Sequence, residues 1–281
     1  MRTRFAPSPT GRLHLGHAFS ALTAWDLALA AGGTFLLRIE DLDAGRARPE
    51  FEAAICDDLA WLGLSWPEPV LRQSEHLPRY AAALDRLTAL GLTYPCRCTR
   101  ADIRAALSAP QEGAQAASVY PGTCRGRRMD AKADRDAVRL DLGRALALAG
   151  PLGFDETGPA HAGRHTLDAG KLRDRIGDVV LARRDIGAAA YHLAVVVDDA
   201  HQGVTHVVRG EDLWQATPLH RLLQALLGLP VPVWHHHRLV RDAAGRRLAK
   251  RDAARALATL RAGGASPADI RRLATRAAGP A

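Results

Sequence analysis

The chain is expected to fold as an α/β protein around a doubly wound parallel sheet. Three observations carry that expectation. Strand-like and helix-like segments alternate over the first 92 residues. The apolar run Phe35, Leu36, Leu37 and Ile39 suits a strand buried on both faces, as in parallel sheets. A Pro/Gly-rich loop joins the first strand to a long Ala/Leu-rich segment, the chain path that places ligands at strand ends.

In order, "RTRFAPSPTG" reads as a short strand that ends near Ala6, because Pro7 and Pro9 cannot donate to a central ladder. Leu15 to Ala30 reads as a helix from its Ala and Leu content. "GGTFLLRIED" is a turn followed by a strand. "PEFEAAICDDLAWLGL" opens on Pro49, a favourable first helical residue. "RYAAALDRLTALGL" is a further helix, stopped at Gly91. Residues 93 to about 135 lose this periodicity and read as an insertion. "AVRLDL" then reads as a strand, and "YHLAVVVDDAHQGVTHVVRGEDL" returns to an apolar, β-branched style. "TPLHRLLQALLGL" is a helix, "VPVWHHHRLV" a strand, and "RDAAGRRLAKRD" a loop. The end of the chain is weakly helical with a break at Gly263-Gly264.

The 281 residues suffice for a sizeable core in one or two domains. No apolar run approaches the ~20 residues that span a bilayer, and "MRTRFAPSP" lacks the apolar stretch of a signal peptide. No membrane partner and a cytoplasmic location are therefore expected. The net charge is +8. From Arg246 onwards nine Lys/Arg face two Asp, which leaves only +1 for the preceding 245 residues. A basic end on a near-neutral body suits contact with polyphosphate or nucleic acid, or is merely a solvated tail.

Four cysteines are present, and Cys96, Cys98 and Cys124 cluster in the insertion. Three thiolates make an incomplete tetrahedron for a metal such as zinc. Tyr120, His161 and His165 compete for the fourth position. Cys56 falls on the inner face of an amphipathic helix and reads as a core thiol.

"PSPTGRLHLGH", Pro7 to His17, lies where a strand ends and a helix begins. Helix N-termini attract anions through the dipole and free N–H groups. Gly11 and Gly16 permit close approach. By themselves, His14 and His17 read as capping and packing residues, and the Lys250 loop as solvated charge.

The joint pattern says more. "RFAPSPTGRLHLGH" resembles the signature of class I aminoacyl-tRNA synthetases, in their glutamyl/glutaminyl branch. "HLGH" resembles the HIGH motif, and "RRLAKR", Arg246 to Arg251, a degenerate KMSKS motif. "LLRIEDLD", "YHLAVVVDD" and "GVTHVVRGEDL" are similar to further blocks in the same order, so the likeness covers roughly residues 2 to 252. Only 30 residues follow Arg251, too few for a helical anticodon-binding region. The chain thus resembles the stand-alone paralogues of that catalytic domain, which activate glutamate with ATP and load it onto queuosine of tRNA(Asp).

The resemblance implies a Rossmann-like catalytic domain in two halves, residues 1–92 and 181–252. Between them it implies a zinc-binding insertion at 93–135, inside a connective subdomain reaching about 180. A basic extension at 253–281 follows, without an anticodon-binding domain. It implies ATP contacts from His14, Gly16, His17 and Lys250, of which His14, His17 and Lys250 are catalytic. Arg4, Ser8, Glu40, Tyr191 and Arg209 fall on glutamate-binding positions. Glu40 is expected to take the α-ammonium, and Arg4 or Arg209 the side-chain carboxylate. Cys96, Cys98, Tyr120 and Cys124 fall on a structural zinc site, and Mg²⁺ is expected with ATP. The partners implied are ATP, L-glutamate and queuosine-bearing tRNA(Asp), acted on by a monomer. Arg247 stands where the family's motif has Lys, and Ala249 where it has Ser. Two rival readings remain open: a glutamate-activating enzyme with another acceptor, and an inactive RNA-binding paralogue.

Overall fold

The computed structural model describes residues 1–99, 101–104, 119–184, 189–241 and 256–279. The chain opens with strand β1 (Arg2–Phe5), helix α1 (Leu15–Ala30) and strand β2 (Thr34–Ile39). Helix α2 (Pro49–Trp61), the short strand β3 (Leu71–Arg72) and helix α3 (Leu77–Ala89) follow. The middle of the chain supplies β4 (Thr93–Cys96), β5 (Ala137–Leu140), α4 (Leu142–Ala149), β6 (Gly153–Glu156), β7 (Gly163–Thr166), α5 (Ala169–Arg175) and β8 (Val180–Ala182). Then come α6 (Tyr191–His201), β9 (His206–Gly210), α7 (Thr217–Leu227), β10 (Val233–His237), α8 (Leu257–Ala262) and α9 (Pro267–Ala278). No helix among the described residues is long and apolar enough to cross a membrane.

The parallel α/β character is present, in a broken form. β2 pairs in parallel with β1 and β3. β10 pairs in parallel with β9 on one side and β6 on the other. β1 lies beside β9, and the Thr205 amide donates to the Arg2 carbonyl at 3.0 Å. The order β3-β2-β1 therefore continues into β9-β10-β6-β7, although the two sheets are separate ladders. At the seam, side chains replace backbone rungs. The Arg2 amide donates to Thr205 Oγ1, and the Arg4 guanidinium to the Val208 carbonyl. The expected all-parallel doubly wound sheet needs two corrections. β7 runs antiparallel to β6, and β4-β5-β8 form a separate antiparallel sheet. "AVRLDL" is a strand, but it belongs to this separate sheet.

The two faces of the first sheet differ. Phe5, Leu37 and Ile39 share one core with Ala18, Ala21 and Leu22 of α1 and Leu59 of α2. Alanines on α1 let the helix lie close to the strands. The opposite face carries charge. Arg4 and the fully buried Arg38 both bind Asp199 of α6, at 3.0 and 2.7 Å. Asp198 of α6 lies 3.9 Å from Arg38 and 3.4 Å from Arg79, and accepts from the Tyr80 hydroxyl (2.9 Å) and Gln73 (2.8 Å). Buried ions are tolerable only when paired in this manner. The apolar reading of β2 missed Arg38, whose side chain alternates to this second face.

Two further expectations change. "YHLAVVVDD" is helical despite its β-branched valines. Leu193 to Asp199 are all buried, and enclosure on every side outweighs a weak propensity cost. The C-terminal segment is helical with the expected break at Gly263-Gly264, but α8 and α9 are packed on the body and are not a solvated tail. Leu257, Ile270 and Ala274 are buried in the core that holds α1. Ser266 and Asp269 form a capping box, and Arg271 pairs with Asp26 and Arg261 with Asp57. Cys56 is half-buried at the edge of that core.

Candidate active site

A cavity of about 420 Å³ opens at the carboxyl ends of β1 and β9, where the strand order reverses. In open α/β sheets ligands bind at this position. Arg4, Ser8, His17, Glu40, Tyr191 and Arg209 line it, and Gly16 joins them. Six separate stretches of sequence thus converge on one hollow, including all five positions expected to bind glutamate. His14 is not among the lining residues. Lys250, Arg247 and Ala249 lie outside the described residues.

The two imidazoles at the mouth of α1 hold each other. His14 is the N-cap, and its Nδ1 accepts from the Gly16 amide at 3.1 Å. The His14 amide donates to His17 Nδ1 at 3.2 Å, and the rings stack with centroids 3.8 Å apart. Because each Nδ1 accepts a backbone N–H, each neutral ring carries its proton on Nε2. Gly16 is needed for this packing: a Cβ there would lie 3.0 Å from His14 Cε1. Capping through Nδ1 and a proton on Nε2 are therefore one arrangement.

The chain around the Lys250 loop is tied to this mouth. The Leu257 amide donates to the Leu13 carbonyl at 2.9 Å, and His14 and Ala256 form an isolated bridge. At the other end, the Arg241 amide donates to the Ala277 carbonyl at 3.1 Å.

The two arginines in the cavity have different surroundings. Arg4 Nε and Nη2 donate to the two carboxylate oxygens of Asp199, at 3.0 and 3.3 Å. Burial raises the Asp199 pKa, but Arg4 and Arg38 outweigh it and hold the carboxyl below its usual range. Arg209 is as deeply buried, yet its hydrogen-bond partners are neutral. Its Nε donates to His236 Nε2 (3.0 Å), Nη1 to His220 Nδ1 (3.0 Å), and Nη2 to Thr217 Oγ1 (2.8 Å) and the Leu213 carbonyl (3.2 Å). Arginine only donates, so both imidazoles must present a lone pair to it. His236 then gives its Nδ1 proton to Glu156 at 2.6 Å, and His220 gives its Nε2 proton to His192 Nδ1 at 3.0 Å.

The site's electrostatics follow from burial. Burial and the Arg209 charge push His220 well below the ordinary imidazole value and take His192 down to about 4. Burial also lowers His236, while Glu156 pulls against it. Burial raises Glu40, with Arg38 and Arg4 opposing, and raises Tyr191. The cavity therefore holds a guanidinium without a protein carboxylate beside it and a carboxylate at its edge. That pattern fits a ligand carrying both an anion and a cation.

The insertion brings its thiols together. The ligand atoms of Cys96, Cys98 and Cys124 lie within 4.8 Å of one another, with 3.5 Å between the Cys98 and Cys124 sulfurs. The Tyr120 hydroxyl is 3.4 Å from Cys96 Sγ and 3.6 Å from Cys98 Sγ. A tetrahedron with metal–sulfur bonds of about 2.3 Å has edges of about 3.8 Å. The cluster is therefore built to coordinate a metal ion. His161 and His165 stand elsewhere, with their rings 4.1 and 5.0 Å from Trp214.

Sequence reasoning missed Arg38, Asp199, His220 and His236. The triple histidine was the available signal, since alternation in β10 sends His236 to the opposite face from His235 and His237.

This fold and this cavity define a class I synthetase catalytic domain. A family model described as tRNA synthetases class I (E and Q), catalytic domain, matches residues 1–277. The chain belongs to that family. It is 61% identical over 279 residues to the glutamyl-Q tRNA(Asp) synthetase of Rhodobacter capsulatus, covering 97% of this chain and 99% of that protein. Identity to the glutamyl-Q tRNA(Asp) synthetase of Nocardia farcinica is 47%, over 98% of this chain and 84% of the other. A solved glutamate tRNA ligase from Elizabethkingia meningosepticum, in complex with its amino acid, superposes with a TM-score of 0.70 at 30% identity. It is matched over 90% of this chain and 52% of its own, so the chain spans about half the length of that ligase.

Proposed function

We propose that the chain activates L-glutamate with ATP and transfers the glutamyl group to queuosine in tRNA(Asp). One observation carries the amino-acid half of this reading: Arg209 is a buried cation facing the cavity with only neutral protein partners. A bound carboxylate supplies the missing counter-charge, since four of the five N–H groups of Arg209 already go to neutral acceptors and leave its charge unpaired. Glu40 takes the α-ammonium, Arg4 and Tyr191 complete the grip, and Ser8 closes the wall beside the strand end. End-to-end likeness to glutamyl-Q tRNA(Asp) synthetases supports the acceptor.

Activation is a substitution at phosphorus. A glutamate α-carboxylate oxygen attacks the α-phosphorus of ATP, the bond to pyrophosphate breaks, and glutamyl-adenylate forms. Catalysis is then positioning plus stabilisation of spreading negative charge. His14 and His17 donate Nε2–H toward the phosphates at the α1 N-terminus, where the dipole adds to them. Lys250, six residues before Ala256, is within a chain reach of about 20 Å of the His14 bridge and takes the leaving pyrophosphate. Mg²⁺ arriving with ATP supplies further charge neutralisation at the phosphate oxygens. In the second step a queuosine hydroxyl attacks the mixed anhydride and AMP leaves.

Cys96, Cys98, Tyr120 and Cys124 hold one Zn²⁺. Its part is structural: a closed site pins an insertion with few regular elements.

The test is ATP–pyrophosphate exchange with glutamate and no RNA. Exchange is expected. Its absence overturns this reading and leaves an RNA-binding paralogue.

A further inference from the structure

A second recess, of about 250 Å³, lies on the other side of the short 3-10 helix Glu211–Ala216. Leu213 lines the active cavity and Trp214 lines this recess. The two hollows thus open from consecutive residues, about 3.8 Å apart along the chain.

Its floor is apolar, and its rim carries Lys171 and Arg175 beside one carboxylate, Asp168. Phe154 and Leu172 are buried in the floor, with Ile176 and Trp214 half-buried beside them. The Trp214 indole is clamped: His161 stacks on it at 4.1 Å and 11°, and Phe154 and His236 meet it edgewise at 5.6 and 5.2 Å. Lys171 and Arg175 are exposed on the rim. Lys171 reaches Asp168 at 3.5 Å, and no described residue pairs with Arg175.

A small hollow with an apolar floor, a fixed indole and two surface cations suits an aromatic ring attached to an anion. The geometry points to a site for one unpaired nucleobase of the acceptor RNA, with its phosphate at Lys171 and Arg175. This rests on the glutamate transfer proposed above and adds where the acceptor strand is held. Proteins read RNA loops through splayed bases stacked on aromatic side chains, and backbone cations add the sequence-independent part. An acceptor nucleotide in the active cavity places its chain neighbour at the adjoining hollow.

The test uses full-length protein and a queuosine-bearing anticodon stem–loop, intact or abasic at either nucleotide flanking the acceptor. The variants are the rim reversal Lys171→Glu/Arg175→Glu and Thr166→Trp. Thr166 is an exposed recess residue, so the new ring fills the hollow without entering the core. The rim reversal is expected to raise KM for the RNA about tenfold with kcat and pyrophosphate exchange unchanged. One abasic position should raise KM about tenfold in the wild type and add nothing in Thr166→Trp, as for two changes in one contact. Wild-type KM for both abasic RNAs, or losses that add fully in the variant, overturns the recess. If intact RNA receives no glutamate at all, the transfer reading has failed instead. Fluorescence anisotropy of the same stem–loops and variants then decides the recess by itself, with Kd read in place of KM.

Discussion

Arg4 and Arg209 line the same cavity, but Arg4 is neutralised by Asp199 at 3.0 Å whereas Arg209 is ringed by neutral donors and acceptors. The protein's own ion pairs therefore assign different work to two arginines that look equivalent in sequence. Arg209→Gln is expected to raise KM for glutamate about a hundredfold, the scale for removing one member of a buried charge pair. At a glutamate concentration 100-fold above the wild-type Kd, the ligand stabilisation should fall from about 2.7 kcal/mol in the wild type to about 0.4 kcal/mol in the variant. Pyrophosphate-exchange kinetics against glutamate concentration check the first, and calorimetry with and without glutamate checks the second.

Asp199→Asn has the reverse profile. It leaves Arg4 and Arg38 buried without their shared partner and should cost about 3–5 kcal/mol of stability. Denaturant unfolding measures this directly. A change below 1 kcal/mol contradicts the role given to the pair.

The imidazoles around Arg209 predict a pH dependence. His192, His220 and His236 have folded values below the ordinary imidazole value. The unfolded chain therefore binds more protons below about pH 6.5, and stability falls as pH drops from there toward about 4. Each such imidazole contributes a slope of at most about 1.4 kcal/mol per pH unit. His220 itself, held well below the ordinary imidazole value by burial and the Arg209 charge, stays neutral in the folded enzyme over this interval, so glutamate KM should change little while the fold persists. Glu156→Gln weakens the hold on His236 and should raise glutamate KM about tenfold with kcat kept. A fall in kcat with KM unchanged argues against a positioning role.

Truncation after residue 252 removes α8 and α9, whose Leu257, Ile270 and Ala274 pack in the core of α1. Losing several buried apolar side chains costs about 2–5 kcal/mol each. The truncated chain is expected to lose glutamate activation together with its fold, as circular dichroism melting would show. A stable truncated protein that still exchanges pyrophosphate would mean these helices are dispensable.

Elemental analysis should find about one zinc per chain. Cys98→Ser should lower Tm by several degrees, because a structural metal site contributes directly to folding. Glutamate activation measured at low temperature should change little. Unaltered melting in this variant would remove the metal from the folding account.

Local rules made much of this molecule readable. The Ala/Leu run fixed α1 at Leu15–Ala30, and Pro49 marked the start of α2 as expected. The convergence of Arg4, Ser8, Glu40, Tyr191 and Arg209 was legible only through motif order, since no local pattern reports which distant blocks meet. The charged face was hidden for another reason. Nothing beside Arg38 in sequence points to its partner Asp199, 161 positions away. Helix α6 was obscured because β-branched residues in a fully enclosed helix carry no periodicity. The basic C-terminus looked like a tail because only three-dimensional packing shows Arg271 and Arg261 meeting Asp26 and Asp57.

The most direct measurement follows radiolabelled glutamate from ATP-activated enzyme onto two tRNA(Asp) preparations that differ only in queuosine. The account predicts label on the queuosine-bearing tRNA, retained after removal of the 3′ end, and none on the other. Equal labelling of both, or label confined to the 3′ end, would contradict it.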